Sequence, residues 1–120
     1  MKKRILVIEN NKEILELISI VLMDAGYEPT LYTNEQGIFE HIVEINPDAI
    51  LLDIIKPTME GTALCRQIKE AENTKHIPVI VLSTHSQIGK VKEVCADEVV
   101  EKPFDIDELL AVLNEQLKAA

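Results

Sequence analysis

Aromatic side chains are scarce in this sequence: two Tyr, two Phe and no Trp in 120 residues, so any core must be aliphatic. Basic residues are also in short supply. Twelve Lys and Arg face twenty-one Asp and Glu, a net charge of -9. Phosphate backbones are bound chiefly through Lys and Arg, so stand-alone binding to nucleic acid or an anionic membrane is disfavoured. A multivalent cation or a basic protein partner fits better. Cysteine is limited to Cys65 and Cys95, thirty apart with no CxxC pair. Cys65 falls within a helical apolar pattern and Cys95 follows another, which reads as two small buried hydrophobes ahead of a disulfide or metal site. Long apolar runs are missing too. The opening MKKRILVIENN is cut by an acid and amides after four apolar residues, too short for a signal-peptide core, and nothing downstream approaches a membrane span. A cytoplasmic protein is expected.

What is present suffices for folding. Hydrophobic residues make up 47% of the chain, unlike a disordered segment. A chain of this length buries roughly two-thirds of its unfolded surface. One domain over residues 1–120 is expected, with no linker, repeat or low-complexity segment.

Strand-like apolar runs alternate with helical patterns. The strand candidates are Ile5–Ile8, Tyr27–Tyr32, Ala49–Leu52, Ile77–Leu82 and Glu98–Val100. The first, third and fourth are continuously apolar, as expected where both faces of a sheet are covered. The second carries Pro29 and the fifth is short and flanked by Glu98 and Glu101, which places both at edges. Between them, Ile14, Leu15, Ile18, Val21 and Leu22 mark an amphipathic first helix, with Asn10 or Asn11 as its cap and Gly26 as its stop. Ile38, Phe39, Ile42 and Val43 mark a second, closed by Asn46-Pro47; Leu64, Ile68 and Ala71 a third. Ile88, Val91 and Val94 give a weaker fourth with Gly89 inside it, and Ile106, Leu110, Leu113 and Leu117 a fifth capped by Asp105. Five βα units in series predict a doubly wound, flavodoxin-like α/β sandwich with a parallel sheet ordered 2-1-3-4-5. In such sheets, sites form beyond the carboxyl ends of the strands at the switch point, here between the first and third strands.

The polar residues stand at those ends. The first strand runs into Glu9-Asn10, the third into Asp53, the fourth into Ser83-Thr84 and the fifth into Lys102-Pro103. Neighbouring carboxylates attract a hard divalent cation, which lets an aspartate approach a phosphoryl group. A hydroxyl can donate to a phosphoryl oxygen and a lysine can neutralise its charge. Taken singly, Asp53 reads as a turn residue, Lys102 as a solvated charge and Ser83 as a satisfied hydroxyl. Their joint placement after successive strands outweighs those readings.

With these motifs in order (the acidic end of the first strand, AILLDIIKPTMEG, VIVLST and EKPF), the chain resembles the CheY-like receiver domains of two-component response regulators over essentially its whole length. Asp53 with Pro57 and Gly61 makes that family's D-x-x-x-P-x-x-x-G loop. The resemblance implies that Asp53 is the phosphoacceptor, charged from the phosphohistidine of a sensor kinase or phosphotransfer protein. It implies Mg²⁺ held by Asp53, the Ile55 backbone carbonyl and the Glu9-Asn10 pair. Ser83, with Thr84 beside it, would bond the phosphoryl group and move on phosphorylation; Lys102 would pair with it, followed by a cis bond to Pro103. Effects would pass to a downstream effector through the face of the fourth helix, fifth strand and fifth helix, from a monomer or weak homodimer.

Several positions depart from the family's pattern. Asn10 stands where the family has its direct metal-ligating carboxylate, which implies weaker Mg²⁺ binding, with Glu9 compensating in part. Val99 stands three residues before Lys102, where the family usually carries Tyr or Phe, so either output runs without an aromatic switch or Val99 merely fills an edge strand. Thr84 is bulkier than the family's preferred small residue. Ile55 replaces a polar residue that helps position water, implying slow hydrolysis of a phosphoryl-Asp53, with His85 as a candidate to offset it. A receiver-like docking module that is poorly phosphorylated is therefore the alternative reading, favoured by Asn10 and Val99. A metal-dependent phosphatase with an aspartyl nucleophile is disfavoured, because such enzymes need a second acid two residues on and Ile55 holds that place. The expectation is a phosphoryl-accepting switch rather than an enzyme with an external substrate.

Overall fold

The computed structural model describes residues 2–119. Five strands, β1 (Arg4–Ile8), β2 (Glu28–Tyr32), β3 (Ala49–Asp53), β4 (Val79–Ser83) and β5 (Glu98–Glu101), form one parallel sheet in the order β2-β1-β3-β4-β5. Four α-helices, α1 (Lys12–Asp24), α2 (Ile38–Ile45), α3 (Ala63–Glu70) and α4 (Ile106–Ala119), and one 3₁₀ helix, η1 (Ile88–Lys92), connect them. The expected flavodoxin-like order holds, with the Pro29 strand and the short fifth strand at the two edges. Among the described residues no helix is long and apolar enough to cross a membrane.

Alternation along the central strands divides the core in two. Leu6, Ile8, Ile50, Leu52, Val79 and Val81 pack with Ile38 and Ile42 of α2, Leu64 and Ile68 of α3, and Ile88 and Val91 of η1. Ile5, Val7, Ala49, Leu51, Ile80 and Leu82 pack with Leu15, Ile18 and Leu22 of α1 and Leu109 and Leu113 of α4. The continuous apolar runs reflect burial on both sides.

Local signals act where the sequence places them. The Asn11 side chain caps α1, accepting from the Glu13 and Ile14 amides at 2.9 and 3.1 Å. Gly26 follows the helix at φ +91°, a left-handed conformation suited to glycine, and donates its N–H to Met23 O. Asp105 Oδ1 accepts from the Asp107 amide at 2.8 Å as α4 starts.

Two expectations change. The fourth helix is not an α-helix but the five-residue η1. Ile88 and Val91, three apart, are both buried, which suits a three-residue turn. Val94 is 53% exposed, so the apolar face that would have continued an α-helix is not used. Gly89 inside the segment and the lack of a side-chain cap at Gln87 remove two further supports. The second change concerns Cys65 and Cys95, expected as separate hydrophobes. Both are buried, but they are paired as a disulfide with Cα atoms 5.7 Å apart. Helix α3 and the turn after η1 pack on the same face of the sheet, so residues thirty apart in sequence become neighbours.

Candidate functional site

Strand register sets the site's residues side by side. Ile8 lies opposite Leu52, Asp53 opposite Leu82, and Ser83 opposite Glu101. The side chains just beyond β1, at the end of β3 and just beyond β5 therefore converge. Backbone bonds carry the ladder past the strand ends: Glu9 N–H to Tyr32 O at 3.0 Å, Ile54 N–H to Leu82 O at 3.0 Å, and Lys102 N–H to Ser83 O at 2.8 Å. These bonds fix the three backbones from which Glu9, Asp53 and Lys102 project.

Lys102 is the centre of the arrangement. Its Nζ donates to Asp53 Oδ1 at 3.0 Å and lies 2.5 Å from Glu9 Oε1. The three side chains are 9%, 12% and 1% exposed, in the order Lys102, Asp53, Glu9. One ammonium thus serves two carboxylates away from water, where charge interactions are stronger than at the surface. Glu9 Oε1 is held by charge alone, since it lacks a partner of regular hydrogen-bond geometry. Its other oxygen accepts from the Asn11 amide at 3.2 Å. Burial pushes the Glu9 carboxyl up from its ordinary value, against the lowering effect of Lys102 and the Asn11 amide, and the Asp53 charge adds to the rise. The peptide bond from Lys102 to Pro103 is cis, as expected.

Above this pair opens a cleft of about 590 Å³, lined among others by Asn10, Asp53, Ile55, Lys56, Thr58 and Glu35. Asn10, Asp53 and Ile55 are therefore brought together, while Glu9 and Lys102 meet Asp53 from the buried side. Asn10 and Ile55 are exposed, the latter 66%. Oxygen donors from Asp53, the Asn10 amide and the Ile55 carbonyl suit a hard cation. Beneath them the buried Glu9 Oε1 is paired with the Lys102 ammonium. Among the described residues no group of three His, Cys, Asp or Glu side chains has metal-holding geometry.

The Asp53 loop owes its shape to Gly61. A Cβ there would lie 2.0 Å from the Lys56 carbonyl oxygen, so the requirement is a close approach of backbone to backbone. Thr58 Oγ1 accepts from the Gly61 amide at 3.0 Å, and its carbonyl accepts from the Thr62 amide at 2.9 Å and hydroxyl at 2.8 Å. Pro57 is half-buried in the same loop.

Ser83 is buried, and its Oγ accepts from the His85 amide at 3.1 Å. Among the described residues no hydrogen bond joins Ser83 to Asp53 or Lys102 side chains. Thr84 is exposed. His85 uses Nδ1 to accept from the Gln87 amide at 3.0 Å, a local turn contact. Val99 is half-buried and packs on the core cluster shared by α2, α3 and η1. Sequence reasoning missed Glu35. It sits in the loop after β2 and lines the same cleft as Asp53, and its carboxyl is pushed up by burial and then by the Asp53 charge. Its only signal in the sequence was its position after a strand end.

Comparison with known proteins agrees with this geometry. The sequence model of the response regulator receiver domain matches residues 5–114. The chain is 38% identical over 119 residues to the phosphate regulon transcriptional regulatory protein PhoB of Pseudomonas aeruginosa, covering 97% of this chain and 52% of that protein. It is 34% identical over 118 residues to the DNA-binding dual master transcriptional regulator RpaA of Synechocystis, covering 96% and 49%. The chain thus spans about half the length of these relatives. Among solved structures, the signal receiver domain of a signal transduction histidine kinase from Syntrophus aciditrophicus superposes with a TM-score of 0.87 at 27% identity, covering 98% of this chain and 92% of that one. The receiver domain of sensor histidine kinase PA1611 from Pseudomonas aeruginosa, with magnesium in its active-site cleft, gives 0.85 at 26% identity, covering 98% and 99%. A lysine shared by two buried carboxylates at the carboxyl end of a 2-1-3-4-5 sheet, and a family match over nearly the whole chain, have one meaning: this chain belongs to the response regulator receiver family of two-component systems.

Proposed function

We propose that Asp53 accepts a phosphoryl group from the phosphohistidine of a sensor kinase or phosphotransfer protein and that the adduct switches the binding of an effector. The observation that carries this reading is the Lys102 ammonium held 3.0 Å from Asp53 Oδ1 and 2.5 Å from Glu9 Oε1 at the strand ends. A carboxylate oxygen of Asp53 attacks phosphorus, the phosphorus–nitrogen bond to the donor imidazole breaks, and the imidazole leaves with the electron pair. The product is an acyl phosphate, later hydrolysed by water. Asp53 faces the open cleft, so the donor has an approach, while Lys102 stays beneath to offset charge on the new phosphoryl oxygens. Mg²⁺ bound by Asp53, the Asn10 amide and the Ile55 carbonyl would offset the repulsion between carboxylate and phosphoryl group. Asn10 makes that binding weaker than a second carboxylate would. Ser83 would donate its O–H to a phosphoryl oxygen while its oxygen accepts from the His85 amide, and the exposed Thr84 beside it would set how freely a donor or water approaches. With Val99 packed on the core, the switch would run through the segment after Ser83 and the face of η1, β5 and α4. Exposed Val94 and Ile106 offer that face apolar contacts for an effector. A cytoplasmic setting, where such kinases present their phosphohistidine, fits this role.

Asn10 also favours the alternative of a docking module that takes up phosphoryl groups poorly. Incubation with Mg²⁺ and acetyl phosphate, read by intact mass with Asp53→Ala as control, separates the two. An adduct present only in the parent protein supports phosphoacceptance. No adduct from acetyl phosphate or from a panel of phosphorylated kinases would leave the docking module.

A further inference from the structure

Cys65 and Cys95 join two parts of the molecule that flank the Asp53 site. Cys65 lies in the first turn of α3, the helix that leaves the Asp53 loop through Gly61 and Thr62. Cys95 closes the segment that begins after Ser83 and carries Thr84, His85 and η1. That segment is consequently anchored at both ends: to the sheet through Ser83 in β4, and to α3 through the sulfurs. The same junction is reinforced one helical turn along. Lys69 Nζ lies 2.6 Å from Asp97 Oδ2 and donates to Ile77 O at 2.6 Å, while Asp97 Oδ2 accepts from the Val79 amide at 2.7 Å. Cys65 and Lys69 are four apart on one helix face, so both address the turn formed by residues 95–97. The Cα separation of 5.7 Å lies in the usual range for bridged cysteines, so opening or closing the bond needs no backbone rearrangement. Cys65 is fully buried and Cys95 is 6% exposed, which makes Cys95 the sulfur that meets a reagent and Cys65 the one that resolves it.

We propose that Cys65 and Cys95 form a reversible redox site, closed by a low-molecular-weight disulfide, and that the closed pair restrains residues 84–95 and slows phosphoryl acceptance at Asp53. The Cys95 thiolate attacks one sulfur of the small disulfide, forming a mixed disulfide and releasing one thiol. The Cys65 thiolate then attacks the Cys95 sulfur and releases the second thiol. Two electrons pass from the protein pair to the small disulfide, and each protein thiol gives up a proton. The restraint acts on the site because Ser83 Oγ is engaged by the His85 amide at 3.1 Å. Among the described residues Ser83 Oγ makes no hydrogen bond to the Asp53 or Lys102 side chains, so donating its O–H to a phosphoryl oxygen requires the hydroxyl to move. The His85 amide bonded to it couples that movement to the segment behind, whose far end the closed pair fixes. The slowing of phosphorylation rests on the phosphoacceptor reading above; the redox chemistry and the restraint do not.

The test compares the dithiothreitol-reduced protein with protein equilibrated in glutathione disulfide. Alkylation with iodoacetamide in denaturant followed by intact mass counts free thiols, hydrogen exchange of the native protein reports on residues 84–95, and acetyl phosphate with Mg²⁺ gives the phosphorylation rate. Expected are two alkylated cysteines in the reduced form and none in the oxidised form, slower exchange across 84–95 on oxidation, and a phosphorylation rate lower by about fivefold or more, the low end of ordinary allosteric couplings. Cys95→Ser should phosphorylate like the reduced parent and ignore glutathione disulfide. Thiols that remain alkylatable after glutathione disulfide treatment would overturn the redox site. A closed pair with unchanged exchange, or with an unchanged rate in a protein that does phosphorylate, would overturn the restraint. If neither redox form takes up a phosphoryl group while exchange still slows, the phosphoacceptor reading fails and the redox restraint stands.

Discussion

The two faces of the sheet are covered differently. One carries α1 and α4, helices of 13 and 14 residues that together bury Leu15, Ile18, Leu22, Leu109 and Leu113. The other carries α2 and α3, eight residues each, and the five-residue η1. Long helices bring several turns of apolar contact to the sheet and hold one arrangement. Short ones bring two or three contacts each, and a 3₁₀ segment has poorer hydrogen-bond geometry. The Asp53 loop, the Ser83 segment and the cysteine pair are all attached to the second face. The first face acts as a scaffold of two long helices; the second buries the larger cluster but divides it among three short segments, which can shift one at a time.

Leu109→Ala on the scaffold face should cost about 2–5 kcal/mol in urea unfolding, from lost transfer energy and the cavity left behind. Val91→Ala under η1 should cost roughly 1.5 kcal/mol, two methyl-sized groups' worth of burial, since a short segment can settle onto the space. Equal losses at the two positions would remove the contrast between the faces. Gly61→Ala forces a Cβ against the Lys56 carbonyl oxygen. The Asp53 loop must open, at a cost of about 1–3 kcal/mol, and phosphorylation by acetyl phosphate should fall with it. A variant that keeps parental stability and rate would show that the loop tolerates displacement.

Asn10→Asp adds a unit charge at the cleft, worth about 2 kcal/mol toward a divalent cation at 4 Å in water. Mg²⁺ affinity by calorimetry should rise roughly thirtyfold, and identical titrations of the two proteins would reject weakened cation binding in the parent. The smallest effect concerns Glu9. Its carboxyl is raised above 4.5 in the folded protein, so the folded state holds the proton more tightly than the unfolded chain. That contribution to stability is fully present below 4.5 and is lost as pH rises through the raised folded value. In metal-free urea titrations, the parent should therefore lose stability relative to Glu9→Gln as pH climbs above 4.5. Parallel pH profiles would mean that Lys102 fully compensates the burial of Glu9.

Much of the site was legible in the chain. Asp53, Lys102 and Glu9 each follow an apolar run, and residues at the ends of adjacent strands must meet once the strand order is set. Burial of the first, third and fourth strands on both sides marked those three as central, because only central strands are apolar throughout. Less legible was the division of labour within the acidic pair. Sequence adjacency suggested that Glu9 and Asn10 share one cation site, whereas strand alternation sends Glu9 down to Lys102 and leaves Asn10 on the cleft.

The sequence by itself determined the sheet, its order, the capped first helix and the set of polar residues at the carboxyl ends, because periodicity and strand ends are local properties of the chain. Only the tertiary structure decided the rest. Whether Ile88, Val91 and Val94 continue a helix depends on the space left beside β4 and β5, and Val94 found none. Whether Cys65 meets Cys95 depends on α3 and the turn after η1 sharing one face of the sheet. Glu35 gained its place on the cleft in the same way, from a loop whose path is fixed by packing rather than by its own residues.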